Sequence, residues 1–253
     1  MERDSIRDLT LASVFAAIIL VMTFVPQIGY ITIGATALTL IHIPVLIGVF
    51  LLPKKYSLAL ALFFGVGSLI RAFTPTGPLD TAFVNPLVSV LPRLLFVLAA
   101  IYIVELFKVI ESKVKHADIY IFGIVSLITS FGIYYAGQAI ITFSGWNADL
   151  ITILFLFINV GFITGYYAFI KKTSDQRILI PSTLILATFI HTVLVLTALV
   201  VFERDLVLTL IPSDQIFSLV VSIAVTNGLV EAILAAFIGT PILLALHQLK
   251  ENQ

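Results

Sequence analysis

Arg93 follows Pro92 inside a run, Leu87 to Phe107, that is apolar almost throughout. A charged side chain near the middle of such a run costs about 2.5–3.5 kcal/mol if the surrounding solvent is hydrocarbon, so it calls for a partner or a cavity. Two chemistries are open to it. The planar guanidinium fork can anchor a carboxylate ligand, or the side chain can snorkel to an interface or pair with a helix end. Glu231 is the matching acid in the last apolar stretch, with Asn227 one helical turn earlier on the same face. The two can line a polar pocket or lock helices together in a hydrogen-bond network. His42 and His191 are ligand contacts or packing residues, and Asn85, placed before Pro86, is a ligand contact or a helix cap. Tyr30 and Thr32, in the polar stretch Gln27 to Thr36, complete the candidate substrate-binding set.

These types are suited to binding rather than bond breaking. Convergent polar groups in an apolar pocket are what a small-molecule site needs. An enzyme would need a nucleophile with its base or a metal cluster, and the chain has no Cys, no His-Glu-x-x-His and no acidic repeat of a phosphotransferase. The absence of Cys also excludes disulfides, Cys-ligated zinc and iron–sulfur clusters. No catalytic residue, metal site or cofactor is expected.

The elements that must position these residues are set by composition. The chain is 60% hydrophobic and 11% charged over 253 residues, with a mean hydropathy of +1.15. Such a chain does not cover its surface with ionised groups as a water-soluble domain does. In hydrocarbon every backbone group must be paired within the protein, so a spanning chain is helical or a closed barrel. Continuous apolar runs rather than alternation select helices. Polar and Pro/Gly punctuation predicts eight apolar segments at about 9–26, 37–52, 56–73, 85–110, 118–142, 149–170, 179–202 and 216–246. The net charge is zero, which suggests no nucleic-acid partner. Mixed charge at Glu2, Arg3 and Asp4, with no small-x-small cleavage site, argues against a cleaved signal peptide.

With a cytoplasmic N-terminus, the inward loops hold Arg3, Arg7, Lys54, Lys55, Lys108, Lys113, Lys115, Lys171, Lys172, Arg177 and Lys250, eleven of the fourteen basic residues. Outward loops hold only Arg71 and Arg204. This bias predicts a multi-pass cell-membrane protein with both termini cytoplasmic. The longest connections, Gln27 to Thr36, Thr74 to Val84 and Glu203 to Gln215, all fall outside and carry turn residues such as Pro26, Gly29, the Thr74-Pro75-Thr76-Gly77-Pro78 run and Pro212-Ser213-Asp214. Long loops on one face form a ligand mouth or are solvated connectors. Ala12 with Ala16, and Gly161 with Gly165, are small-xxx-small pairs that permit close helix approach.

The string Ala35-Thr36-Ala37-Leu38-Thr39-Leu40-Ile41-His42-Ile43-Pro44-Val45-Leu46-Ile47-Gly48 resembles the second-helix signature of the substrate-specific S components of energy-coupling factor (ECF) vitamin transporters. Landmarks in the same order are the Leu52-Pro53-Lys54-Lys55 turn, Phe64-Gly65, Asn85-Pro86, Leu91-Pro92-Arg93, Asn227-Gly228 with Glu231-Ala232, and Thr240-Pro241. The pattern is most like the pantothenate branch. The resemblance implies an all-α integral membrane protein, a single membrane domain over 1–253. Its core, 1–113 and 178–253, would be a six-helix S-component-like bundle, and 114–177 an inserted pair of transmembrane helices, giving eight spans. It also implies capture of a vitamin from outside, with ATP-driven uptake by a coupling transmembrane subunit and two cytoplasmic ATPase subunits, and docking of the coupling subunit on Ala12 and Ala16. In agreement, the chain has no Gly-x-x-x-x-Gly-Lys-Ser/Thr loop. The alternative is a self-contained secondary transporter of a small polar metabolite, with Glu231 and His191 relaying protons.

The absence of native cysteines allows a direct check of topology. Single cysteines at positions 54 and 172 are expected to resist an impermeant thiol reagent added to intact cells and to react once the cells are opened. Labelling of either from outside would contradict the arrangement.

Overall fold

The computed structural model describes residues 2–33, 36–75, 77–172, 178–210, 212–213 and 215–251. Ala35, Thr76, Arg177 and Asp214, singled out above, lie outside them. The elements run α1 (Glu2–Phe24), α2 (Pro26–Gly29), β1 (Tyr30–Ile33), β2 (Thr36–Thr39), α3 (His42–Leu51), α4 (Lys54–Arg71), a 3-10 helix (Pro78–Val84), α5 (Pro86–Ser89), α6 (Leu91–Lys113), α7 (Ala117–Ser144), α8 (Ala148–Lys172), α9 (Leu179–Phe202), α10 (Arg204–Leu210) and α11 (Ile216–Glu251). Among the described residues six helices are long and apolar enough to cross a membrane: those of α1, α5 with α6, α7, α8, α9 and α11. Large apolar side chains such as Leu127, Phe157 and Phe237 point outward, as a surface facing lipid requires. Among the described residues the chain is an all-α membrane protein apart from one short hairpin.

That hairpin corrects the reading of 37–52 as one apolar helix. β1 and β2 pair antiparallel, with Tyr30 opposite Thr39 and Thr32 opposite Ala37. Ile31, Thr32, Ile33, Thr36 and Thr39 are β-branched and favour extended backbone over helix. The helical part, α3, has only ten residues, about 15 Å of helix and half the hydrocarbon thickness. Pro44 is tolerated because it lies in the first turn, where backbone N–H groups have no partner within the helix. Leu40 N donates to Gly29 O at 2.9 Å, closing the hairpin base. Gly29 is required there, because a Cβ on it would stand 2.0 Å from the carbonyl oxygen of Met22 in α1.

The main core is built by α1, α3, α4, α6, α9 and α11 around Ile19, Leu46, Phe64, Phe96, Leu184 and Leu243. α7 and α8 form a side hairpin whose Ile121, Val125 and Tyr166 pack against Val104 and Phe107 of α6, Leu179 and Ile185 of α9 and Ala232 of α11 in a second cluster. Ser130 Oγ donates to Asn159 Oδ1 at 2.8 Å between α7 and α8, and the Tyr166 and Ser182 hydroxyls meet at 2.6 Å between α8 and α9. Such pairs hold helices together where the hydrophobic effect gives no drive between them.

The small-residue pairs Ala12 with Ala16 and Gly161 with Gly165 differ in their surroundings. Ala12 and Ala16 are buried in the main core, so their small side chains let α1 close onto the bundle of its own chain. Gly161 and Gly165 instead have nothing within 4 Å of an added Cβ. A tight crossing against backbone that sequence spacing did not flag is at Gly65, where a Cβ would stand 2.8 Å from Val90 Cα, between α5 and α6.

Because backbone cannot yield as a side-chain tip can, Gly65→Ala is expected to destabilise the protein by about 1–3 kcal/mol, the range of core overpacking. Gly161→Ala should change stability little. Thermal unfolding of both variants in the same detergent tests this, and equal melting temperatures would contradict the crossing.

Candidate functional site

The hairpin, the 3-10 helix and the adjoining ends of α4, α6, α9 and α11 enclose a cavity of about 160 Å³. Tyr30 and Thr39 line it from the hairpin, Ser68 and Arg71 from α4, Asp80 and Phe83 from the 3-10 helix. Arg93 comes from the first turn of α6, His191 and Thr192 from α9, and Asn227 and Glu231 from α11. Leu79, Val195, Leu196, Leu199 and Ile223 supply an apolar wall. Of the eight residues predicted for binding, Tyr30, Arg93, His191, Asn227 and Glu231 are therefore brought to one cavity.

Arg93 does not snorkel. It is buried, with Nη1 donating at 2.8 Å to the carbonyl of Val88 at the end of α5. That carbonyl lacks a partner within its own short helix, so the charge-assisted bond satisfies it and secures the α5–α6 junction. The guanidinium also lies over the rings of Phe64 and Phe83, 5.2 and 5.1 Å from their centroids, within cation–π range. Nε keeps no hydrogen-bond partner. Arg93 thus meets a helix end and lines the cavity.

Glu231 joins separate parts of the chain. Its Oε1 accepts from Thr39 N at 2.7 Å and its Oε2 from Thr192 Oγ1 at 3.2 Å. The carboxylate ties the hairpin to α9 and α11 at the cavity wall, so the network reading describes it better than a bare ligand contact. His191 is stacked on His42, centroids 5.6 Å apart and ring planes at 22°, and packs against Phe96 at 4.9 Å and Phe64 at 5.7 Å. His42 lies behind His191 in the core and does not line the cavity.

Asn85 is also away from the lining. Its Oδ1 accepts from Leu87 N at 3.0 Å, capping α5, and its Nδ2 donates to Glu203 Oε1 at 2.7 Å. Asn-Pro at a helix start reads as this cap, with Pro at the first position where its missing N–H costs nothing. Thr32 is placed in β1, and its side chain lies outside the described residues.

Sequence reasoning passed over Ser68, Arg71, Asp80 and Phe83. Arg71 stacks its guanidinium 3.8 Å from the centroid of the Tyr30 ring, and Asp80 Oδ2 accepts from Gly77 N at 3.0 Å. Phe64, Ser68 and Arg71 follow i, i+4, i+7 spacing on α4, so one face of that helix carries all three toward the site. A polar pair at core spacing was the available signal. It was masked by counting Arg71 among loop charges.

No curated protein matches the chain. The pattern of the family described as "ECF transporter, substrate-specific component" matches residues 7–158, three fifths of the chain, from α1 through α7 into α8. This family is one of transporters and not of enzymes, whose members sit in the membrane and work with an ECF module on a small-molecule substrate. With six apolar spans, a cavity walled by buried polar groups, and a family match over most of its length, the chain belongs to the family of substrate-specific components of ECF transporters.

Proposed function

We propose that this protein captures an anionic vitamin, pantothenate being the best candidate, from outside the cell and passes it inward in an assembly with a coupling transmembrane subunit and two cytoplasmic ATPases. The observation that carries the reading is the meeting of Arg93, His191, Asn227 and Tyr30 with an apolar wall around one cavity. A carboxylate would pair with Arg93, whose Nε is unpartnered, and a branched aliphatic part would lie against Leu196, Leu199 and Ile223. Tyr30 and Asn227 would meet hydroxyl or amide groups.

The chain makes eight crossings in this reading, the second formed by β2 with the half-length α3 and the third by α4. Both termini are cytoplasmic, which places the cavity on the outer side. Residues 114–177, α7 and α8 with their flanks, are an added helical pair on the six-helix core. α7 and α8 contribute no residue to the buried main core of the other helices, which supports this division.

Isothermal titration with pantothenate and with its amide, which lacks the charge, tests the anchor. Arg93→Ala should weaken binding of the acid by about 1–3 kcal/mol, the scale of a charge-assisted hydrogen bond, and change binding of the amide little. Equal losses for acid and amide would remove Arg93 from the binding site, because a purely structural residue penalises both alike.

A further inference from the structure

Three side chains that line the cavity carry polar atoms shut off from solvent and without hydrogen-bond partners: Ser68 Oγ, Arg93 Nε and both ring nitrogens of His191. The residues are only 6%, 5% and 3% exposed. Buried polar groups in native proteins are nearly always paired, since an orphan forfeits its hydration with nothing in return. Other buried orphans do not line this cavity: His42 is stacked behind His191, and Thr183 and Thr240 are absent from its wall. Here three converge. Phe64, one turn before Ser68, touches both the Arg93 guanidinium and the His191 ring, which places all three around one aromatic side chain.

Of the other groups expected to bind, Glu231 and Asn85 are already engaged. Both Glu231 oxygens accept bonds from Thr39 and Thr192, and Asn85 is held by Leu87 and Glu203. The chemistry left over is specific. Arg93 offers an N–H to an anion, Ser68 offers a hydroxyl that donates and accepts, and a neutral imidazole offers one donor and one acceptor.

We propose that Ser68, with His191, forms a neutral hydrogen-bonding subsite beside Arg93 that selects acids bearing a hydroxyl group over acids without one. The proposal rests on the reading of Arg93 as the carboxylate anchor and adds the feature by which the cavity tells one small acid from another. It makes Ser68 a specificity-determining residue whose hydroxyl works in the liganded protein.

This yields opposite expectations for binding and for stability. Removing a hydroxyl that is unpaired without ligand should leave the melting temperature of the ligand-free protein unchanged or raise it, whereas a structural serine would lower it.

The experiment compares the full-length wild type with Ser68→Ala in detergent, by titration with pantothenate, with its analogue lacking the hydroxyls, and with the alcohol that lacks the carboxylate. Ser68→Ala is expected to weaken pantothenate binding about ten-fold, one hydrogen bond's worth, while binding of the hydroxyl-free analogue moves by less than about two-fold. Equal change for both, or none in either, would overturn the subsite, as would a lowered ligand-free melting temperature. The anchor is judged separately on the wild type. If it binds the alcohol as well as the acid, or binds neither, the carboxylate reading itself has failed and the subsite falls with it.

Discussion

Hydrocarbon can neither hydrate a guanidinium nor accept from an imidazole, and this constraint organises the bundle more than any other. Arg93, Glu231, His42 and His191 are all buried in a chain that is 60% hydrophobic. Arg93 is met by the Val88 carbonyl and two phenyl rings and Glu231 by Thr39 and Thr192, while the histidines stack with their ring nitrogens and Arg93 Nε left without hydrogen-bond partners. A polar interior in lipid is stable only where its members satisfy one another or face a cavity. Here both solutions are used, and the cavity lies where they meet.

The hairpin is the structural consequence. The stretch 37–52 does not form one full-length second helix. Instead β1 and β2 use half of that length for extended backbone, whose free N–H at Thr39 reaches the Glu231 carboxylate, and α3 uses the other half to close the core with Ile43, Val45 and Leu46. Gly29 admits the turn against α1, and Gly65 admits α4 against the α5–α6 junction that Arg93 secures. Two close backbone approaches and one buried carboxylate therefore bring the ends of distant helices around a single space.

The long spans were legible because twenty or so apolar residues have few alternatives in any solvent. The segment read as 179–202 is the helix Leu179–Phe202, and 118–142 lies within Ala117–Ser144. The split of 37–52 was not legible from hydropathy, which scores Ile, Val and Thr-rich extended backbone and helix alike. Arg93, His191, Asn227 and Glu231 were found because polar groups in apolar runs carry an energetic penalty visible in the sequence. Ser68 was missed because a serine carries almost none, and only burial without a partner makes it conspicuous. Ala12 and Ala16 are packed in the main core, as a small-residue pair that permits a close approach allows.

The central claim is that the cavity holds one small acid through Arg93. Native mass spectrometry of the full-length protein released from mild detergent, after expression in rich medium, tests it without presuming which acid is bound. Wild type should carry one co-purifying small molecule per chain, released and identified as a carboxylic acid, and Arg93→Ala prepared in parallel should carry none. A neutral or cationic molecule, or the same adduct retained in Arg93→Ala, would contradict the account.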